Sequence, residues 1–481
     1  MVIKYRRIWI AEQPIIKQYC QMHSQNRFRN KLVGYVADHF IRWAEHGVVE
    51  NYVSEESIKK MEKDGEKLLN NEYAERMLNE STKTIHDWWQ AAQEIRHKCV
   101  SNCSEDELIP CSRLFEESLF NVFGYFMVSF QTSTPPVEER IISLLHPTYK
   151  EKSHEHLIAL TSPTEADLLF KEKSSFLSLL HNKNDVAIKE HALRFPFLFC
   201  NIESEEDVLA IIKNKLEEEI KEDIANELMR TEQKYAELKE KQEKILTELS
   251  STELRNLSLL MQKLALLRLE LKNCWSGMHF YLLPFFKKLA EKARANVKDI
   301  MMFYTTEDII RLAETGEAVP KEELKARKEC YVFTYDHGNI SFYSGDKAKA
   351  VKQNYLDQWS SQEHITHFAG TVANKGKVIG KARIIKVDDL RELIKIAPTL
   401  TKENIIVTGM TNPNMMILIK KVGGIITDEG GLACHASIVS REFDIPCVVG
   451  CSIATQVLHD GDEVELDANS GKVTILKRAA Q

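Results

Sequence analysis

The chain of 481 residues is 43% hydrophobic and 28% charged, and 64 Lys+Arg against 71 Asp+Glu leave a formal net charge of −7. That length buries a core without covalent staples and admits several domains. The mild acidity argues against a chain whose business is neutralising phosphate backbones, so nucleic acid is not expected as a partner.

The ten cysteines contain no CxxC pair. Neither a disulfide framework nor a structural zinc site is expected, and Cys447 and Cys451, four apart, are set aside as a metal pair because Cys447 falls in a strand. The start, Met1 to Arg7, lacks the apolar stretch of a signal peptide, and no apolar run approaches the about 20 residues of a membrane span. The expectation is a soluble, cytoplasmic protein without a membrane partner.

Residues 1 to about 330 read as almost wholly helical, because apolar residues recur at three- and four-residue spacing and Gly and Pro are scarce. Leu32, Val33, Val36, Phe40, Ile41 and Trp43 form one stripe ending at Gly47. Ser162-Pro163-Thr164-Glu165 is an explicit helix start before Leu168, Leu169 and Phe170. Trp88-Trp89 and the aromatics from Phe115 to Phe130 recur at helical spacing and read as core.

The longest helical region spans about 204 to 290. Ile212, Leu216, Ile220, Ile224 and Leu228 step by fours, Tyr235, Leu238, Ile245 and Leu249 continue the line, and Ser250-Ser251-Thr252-Glu253 marks a break with a fresh cap. A long helical hairpin or short coiled coil follows from this pattern.

Around 330 the pattern changes. Tyr331 to Tyr335 and Ile340 to Tyr343 alternate about the turn Asp336-His337-Gly338-Asn339, a short hairpin. Polar residues 347 to 366 suit a linker with a little helix. Beyond it, strands are expected at Val378 to Ile385, Ile405 to Thr408, Gly424 to Thr427, Ile445 to Val449, Glu463 to Asp467 and Lys472 to Leu476. Helices are expected at Asp389 to Ile396, Asn414 to Lys421 and Leu432 to Phe443, the whole closed by a hairpin through Ala468 to Gly471. The fold class is thus multidomain, α followed by α/β. A large, mainly helical region over 1–345 and a linker over 346–369 precede a small α/β domain over 370–481.

One stretch carries chemistry. In Thr427-Asp428-Glu429-Gly430-Gly431-Leu432-Ala433-Cys434-His435, a buried strand enters a Gly-Gly turn and a helix starts with a histidine in its first turn. Glycines let backbone N–H groups face outward, and the positive end of the helix dipole favours a phosphoryl group on or beside His435. Imidazole is nucleophilic near pH 7, and its phosphorus–nitrogen bond stays reactive. Thr427, Ser437 and Arg441 are candidate hydrogen-bond donors to phosphate oxygens, with pairing of Arg441 to Glu442 or an upstream loop as the structural alternative.

Residues 370 to 476 closely resemble the phosphohistidine, or swivelling, domain shared by pyruvate phosphate dikinase, phosphoenolpyruvate synthase and rifampicin phosphotransferase. The matching blocks are Gly376 to Arg383, Thr411-Asn412-Pro413, Thr427 to Gly431 with Cys434-His435-Ala436, Arg441 to Gly450, and Asp460 to Asp467 with Gly471-Lys472-Val473. The resemblance implies that His435 is phosphorylated, with Thr427, Gly430, Gly431 and Cys434 in its loop, Cys434 serving packing. Ala433 departs from the family's usual Ser, Thr or Asn. His191 to Leu198, Tyr304 to Ile309 and Arg327 look like the helical region of rifampicin-phosphotransferase-like proteins, which implies acceptor-binding roles for His191 and Arg194.

Family members also carry an ATP-grasp domain, and dikinases a phosphoenolpyruvate-binding barrel; neither is apparent in this sequence. The resemblance therefore implies a phosphotransferase subunit taking its phosphoryl group from ATP or phosphoenolpyruvate. The ATP and its Mg2+ would be held by a separate ATP-grasp protein, and a small-molecule acceptor would sit near the helical region. The alternative is a degenerate, non-catalytic member acting as a binding or regulatory scaffold.

Overall fold

The computed structural model describes residues 3–101, 104–130, 132–200, 202–218, 221–359, 365–386, 390–431 and 434–479. The chain forms two compact units, one of Met1–Asn26, Val36–Met61 and Val319–Gln481, the other of Arg27–Tyr35 and Glu62–Ala318.

The second unit is helical, as its periodicity predicts. Helices Asn71–Val100 and Glu105–Phe126 pack on each other and on Thr252–Ser276. Trp88 and Phe115 meet with ring centroids 6.2 Å apart inside this core, where both are almost wholly buried. The expected break falls where the sequence puts it: Ser251 accepts the N–H of Leu254 at 3.2 Å and starts the helix that follows Lys221–Leu249. The two long helices do not zip along a shared coiled-coil seam. Ile212, Leu216, Ile224 and Leu228 instead join Phe176, Leu179, Ile188 and Phe280 in one cluster, so the fours-spaced stripe faces other helices of the unit. Ile220 lies outside the described residues.

The start expected at Ser162 is displaced. Helix Leu168–Leu179 begins instead behind Asp167, whose carboxylate accepts the Phe170 N–H at 2.8 Å. Asp and Ser cap comparably, and the aspartate stands directly before the apolar run.

The first unit departs from the almost wholly helical reading of 1 to 330. Strands β1 (Tyr5–Glu12), β2 (His39–Glu45), β3 (Val48–Ser54), β4 (Cys330–Asp336) and β5 (Asn339–Ser344) form an antiparallel sheet in the order β1-β3-β2-β4-β5. The stripe through Phe40, Ile41 and Trp43 is therefore a strand, and Gly47, at φ 84°, is a hairpin turn after His46 at φ 50°. Aromatic and β-branched residues on both sides of that turn favour the pleated form, and burial of Phe40, Ile41, Trp43 and Ala44 on both faces hides its alternation. The polar stretch after β5 carries a helix, Gly345–Trp359, which covers one face with Ala348 against Ile41, Trp43 and Val332. Residues 360–364 of the expected linker lie outside the described residues.

The α/β domain in the same unit is an eight-stranded mixed sheet. Strands β6 (His367–Ala369), β7 (Thr371–Asn374), β8 (Lys377–Ile385), β9 (Asn404–Thr408), β10 (Gly424–Thr427), β11 (Cys447–Val449), β12 (Glu463–Asp467) and β13 (Lys472–Lys477) lie in the order β6-β13-β12-β8-β9-β10-β11-β7. Strands β8 to β11 run parallel. Ile406, Ile425, Cys447 and Val449 face one core with Leu393, Leu418 and Val439, while Ile405, Val407, Ile426 and Val448 face another with Leu458, Val464 and Leu466. Burial on both faces is why these strands read as unbroken apolar runs. Strands β6 and β7 escaped the sequence reading because they are short edge pieces.

Candidate functional site

The parallel strands decide where chemistry can sit. In open α/β sheets, ligands bind beyond the carboxyl ends of the strands, where loops diverge. Here three such loops meet, after β9, β10 and β11. Their backbones are laced together: the Asp428 N–H donates to the Thr408 carbonyl at 3.1 Å, Glu429 N–H to Gly409 at 2.9 Å, and Cys451 N–H to Thr427 at 3.0 Å.

Gly430 makes the tight turn out of β10. Its φ of 126° disfavours any side chain, and an added Cβ would lie 2.7 Å from the Cys434 sulfur and 3.2 Å from Cβ of Val449. Gly431 then offers its carbonyl to the Cys434 N–H at 3.1 Å and to the Ser437 hydroxyl at 2.8 Å. The helix His435–Glu442 starts three residues later than expected for its apolar pattern, with Cys434 as its cap residue and His435 in its first position. Leu432 and Ala433 lie outside the described residues, so the departure at 433 has no structural account.

His435 is 9% exposed. Its Nδ1 lies 2.8 Å from the hydroxyl of Thr411, which comes from the loop after β9. The ring thus stands at the positive end of a helix, its orientation fixed through one nitrogen by a neighbouring loop. Thr427 donates its hydroxyl to the Glu429 carbonyl, and Arg441 donates Nε to the Ser437 carbonyl at 2.7 Å. Burial lowers the Arg441 guanidinium below its ordinary value. Cys434 packs with its sulfur 3.3 Å from the Ser437 hydroxyl.

Arg7 was missed by the sequence reading, and Asp428 stood in a recognised block without a role. Asp428 is buried, and its carboxylate receives Arg7 Nη2 at 3.2 Å and the Thr455 N–H at 3.1 Å, with the Thr455 hydroxyl as a further donor. Burial raises the Asp428 carboxyl above its ordinary value in spite of these donors. Arg7 stands on β1 and also binds Glu50 on β3 at 2.9 Å. Burial would raise the Glu50 carboxyl, but Arg7 and the Tyr52 and Trp43 donors hold it below its ordinary value. Strand β1 touches the neighbouring loop too: a Cβ on Gly409 would meet the Ile10 carbonyl at 2.5 Å. No local pattern signals a partner 421 residues away. Thr411, like Asp428, stood in a recognised block, and only its target was invisible.

The acceptor candidates belong to the helical unit. His191 is buried, with Nδ1 3.0 Å from the Ser175 hydroxyl and Nε2 3.2 Å from Glu172. Burial alone would raise Glu172, but Lys215 and His191 outweigh it and hold the carboxyl at about 2. Arg194 is exposed over the Phe195 ring and lines a cavity of about 330 Å³ with Trp89, Lys171, Glu270, Asn273 and Tyr281.

A glycine-bent strand-to-helix turn thus presents a histidine at the carboxyl edge of a parallel sheet. The model of the PEP-utilising enzyme mobile domain matches residues 400–471. A probable phosphoenolpyruvate synthase of Methanothermobacter thermautotrophicus is 47% identical over 104 residues, 22% of this chain and 14% of that protein. One of Archaeoglobus fulgidus is 42% identical over 174 residues, 35% of this chain and 22% of that protein. The phosphoenolpyruvate synthase of Escherichia coli is 36% identical over 114 residues, 23% and 14% of the respective chains. The likeness to the PEP-utilising enzymes thus rests on this domain, residues 400–471. The chain spans only 14% to 22% of the length of these relatives. Among the described residues, no helix is long and apolar enough to cross a membrane.

Proposed function

We propose that the chain is a phosphotransferase component that carries a phosphoryl group on His435. With Thr411 accepting from Nδ1–H, the lone pair of the ring lies on Nε2. That nitrogen attacks the donor phosphorus as the bond to the leaving group breaks; an acceptor hydroxyl later attacks the same phosphorus, and the P–N electron pair returns to the ring. The observation that carries this reading is the placement of His435, oriented by Thr411 at 2.8 Å in the first turn of a helix beyond the parallel strands.

The donor is ATP or phosphoenolpyruvate, held with any Mg2+ on a separate protein of the ATP-grasp type. The reading draws support from the Thr411 hydroxyl as the side-chain partner of His435, and from the Asp428 carboxylate being already engaged by Arg7 and Thr455. The acceptor is a small molecule bound by the helical unit, with Arg194 and the cavity beside it as its candidate seat. A swing of the domain between donor and acceptor breaks the Arg7–Asp428 pair on each excursion.

The test is incubation of the chain with labelled ATP and candidate partner proteins, and separately with labelled phosphoenolpyruvate. Acid-labile, alkali-stable label is expected on the wild-type chain and lost in His435→Ala. Label that persists in His435→Ala, or no label with any cognate partner and either donor, overturns the reading.

A further inference from the structure

Far along the sequence from the phosphoryl site, the five-stranded sheet assembles a second group of chemical side chains. Strand β2 begins at His39 and β4 ends at Asp336, and the register sets these two residues opposite each other. His39 Nδ1 is 3.0 Å from Asp336 Oδ1. His337 follows in the β4–β5 turn, and its ring centroid lies 4.5 Å from that of His39 at an interplanar angle of 76°. One donor atom from each of His39, Asp336 and His337 falls within 4.8 Å of the others.

The turn is firmly held. His337 at φ 46° and Gly338 at φ 97° give the paired left-handed conformations of a two-residue hairpin, in which Asn, Asp and Gly are the usual occupants. The His337 N–H donates to the Asp38 carbonyl at 2.8 Å, and Asn26 Nδ2 donates to the Gly338 carbonyl at 2.8 Å. Asp38 also brings Oδ1 to within 3.5 Å of His337 Nδ1 and pairs with Lys60. A carboxylate behind a histidine is the arrangement that orients metal-binding imidazoles.

We propose that His39, Asp336 and His337 form a site for one divalent transition-metal ion, of the zinc or nickel class, completed by water. Two imidazoles and a carboxylate are the ligand types such ions take, and the single formal charge of Asp336 favours a dication over a phosphate. Around a tetrahedral ion, bonds of about 2.1 Å set neighbouring donors about 3.4 Å apart. No pair here therefore needs to close by more than about 1.4 Å on binding. Asp336 and His337, with side chains 67% and 63% exposed, rotate into place without disturbing the core, while His39, at 20%, is the fixed ligand. The ion would tie the start of β2 to the β4–β5 turn, and nothing in this depends on phosphoryl transfer.

The probe is Co2+ added to the chelator-treated full chain, with absorption and calorimetry read together. One Co2+ per chain is expected, with the visible bands of nitrogen and oxygen ligation, no sulfur-to-cobalt charge-transfer band, and displacement by Zn2+. His337→Asn keeps the left-handed turn and Asp336→Asn keeps the side-chain shape; each is expected to weaken binding at least tenfold while leaving the circular dichroism unchanged. Zn2+ is also expected to raise the melting temperature of the wild type and not that of His337→Asn. Binding only at millimolar metal, a sulfur band assigning the ion to cysteine, or equal affinity in wild type and both variants overturns the proposal.

Discussion

At His435 the reacting nitrogen and the orienting nitrogen belong to one ring, so what holds Nδ1 sets what Nε2 can do. Removing the Thr411 hydroxyl by Thr411→Val frees the ring to rotate and to change tautomer. The expected result is a loss of about tenfold in the rate of phosphoryl uptake, the worth of one well-placed hydrogen bond, with Thr411→Ser recovering most of it. Rapid-quench measurement of labelled His435 reads this directly; equal rates in Thr411→Val and wild type would sink the positioning role. The histidine itself was legible because its chemistry is local: a Gly-Gly turn, a strand before and a helix after occupy a dozen consecutive positions. Thr411 sits 24 residues upstream and Arg7 421 residues from its carboxylate, and only folding brings them there.

At the level of elements, sequence periodicity served the parallel strands and the long helices and failed at β2 and β3. Phe40, Ile41 and Trp43 satisfy a helical stripe as well as a doubly buried strand, and the deciding fact, pairing with β4 almost three hundred residues on, is not local. Burial in the helical unit carries a measurable cost. His279 is buried against Phe286, and desolvation lowers its imidazole to about 3. The unfolded chain, with an ordinary histidine near 6.5, binds the proton first, so stability falls as pH drops from about 6.5 toward 3. Glu172 adds a second limb: ionised down to about 2 in the fold, and protonated near its ordinary 4.5 when unfolded, it withdraws stability between those values. Chemical denaturation across pH is expected to show both limbs, with His279→Leu removing the upper one alone. An unchanged upper limb in that variant would assign it elsewhere.

For the molecule as a whole, the Arg7–Asp428 pair links the first strand of the chain to the loop that turns toward His435. Arg7→Met strands a buried carboxylate, and a cost of about 3–5 kcal/mol is expected from losing one member of such a pair. Arg7→Met with Asp428→Asn should recover much of it, a coupling read from the double-mutant cycle in the denaturation of the unit that holds both residues. Additive single effects would show that the two groups do not sense each other.

The same strand order bears on how the chain is made. Strands β1 to β3 leave the ribosome early, yet β4, which closes their sheet, is translated only after the entire helical insertion. Until then β2 carries an open, aromatic-rich edge, and nascent chains stalled before residue 330 are the species for which chaperone capture matters most.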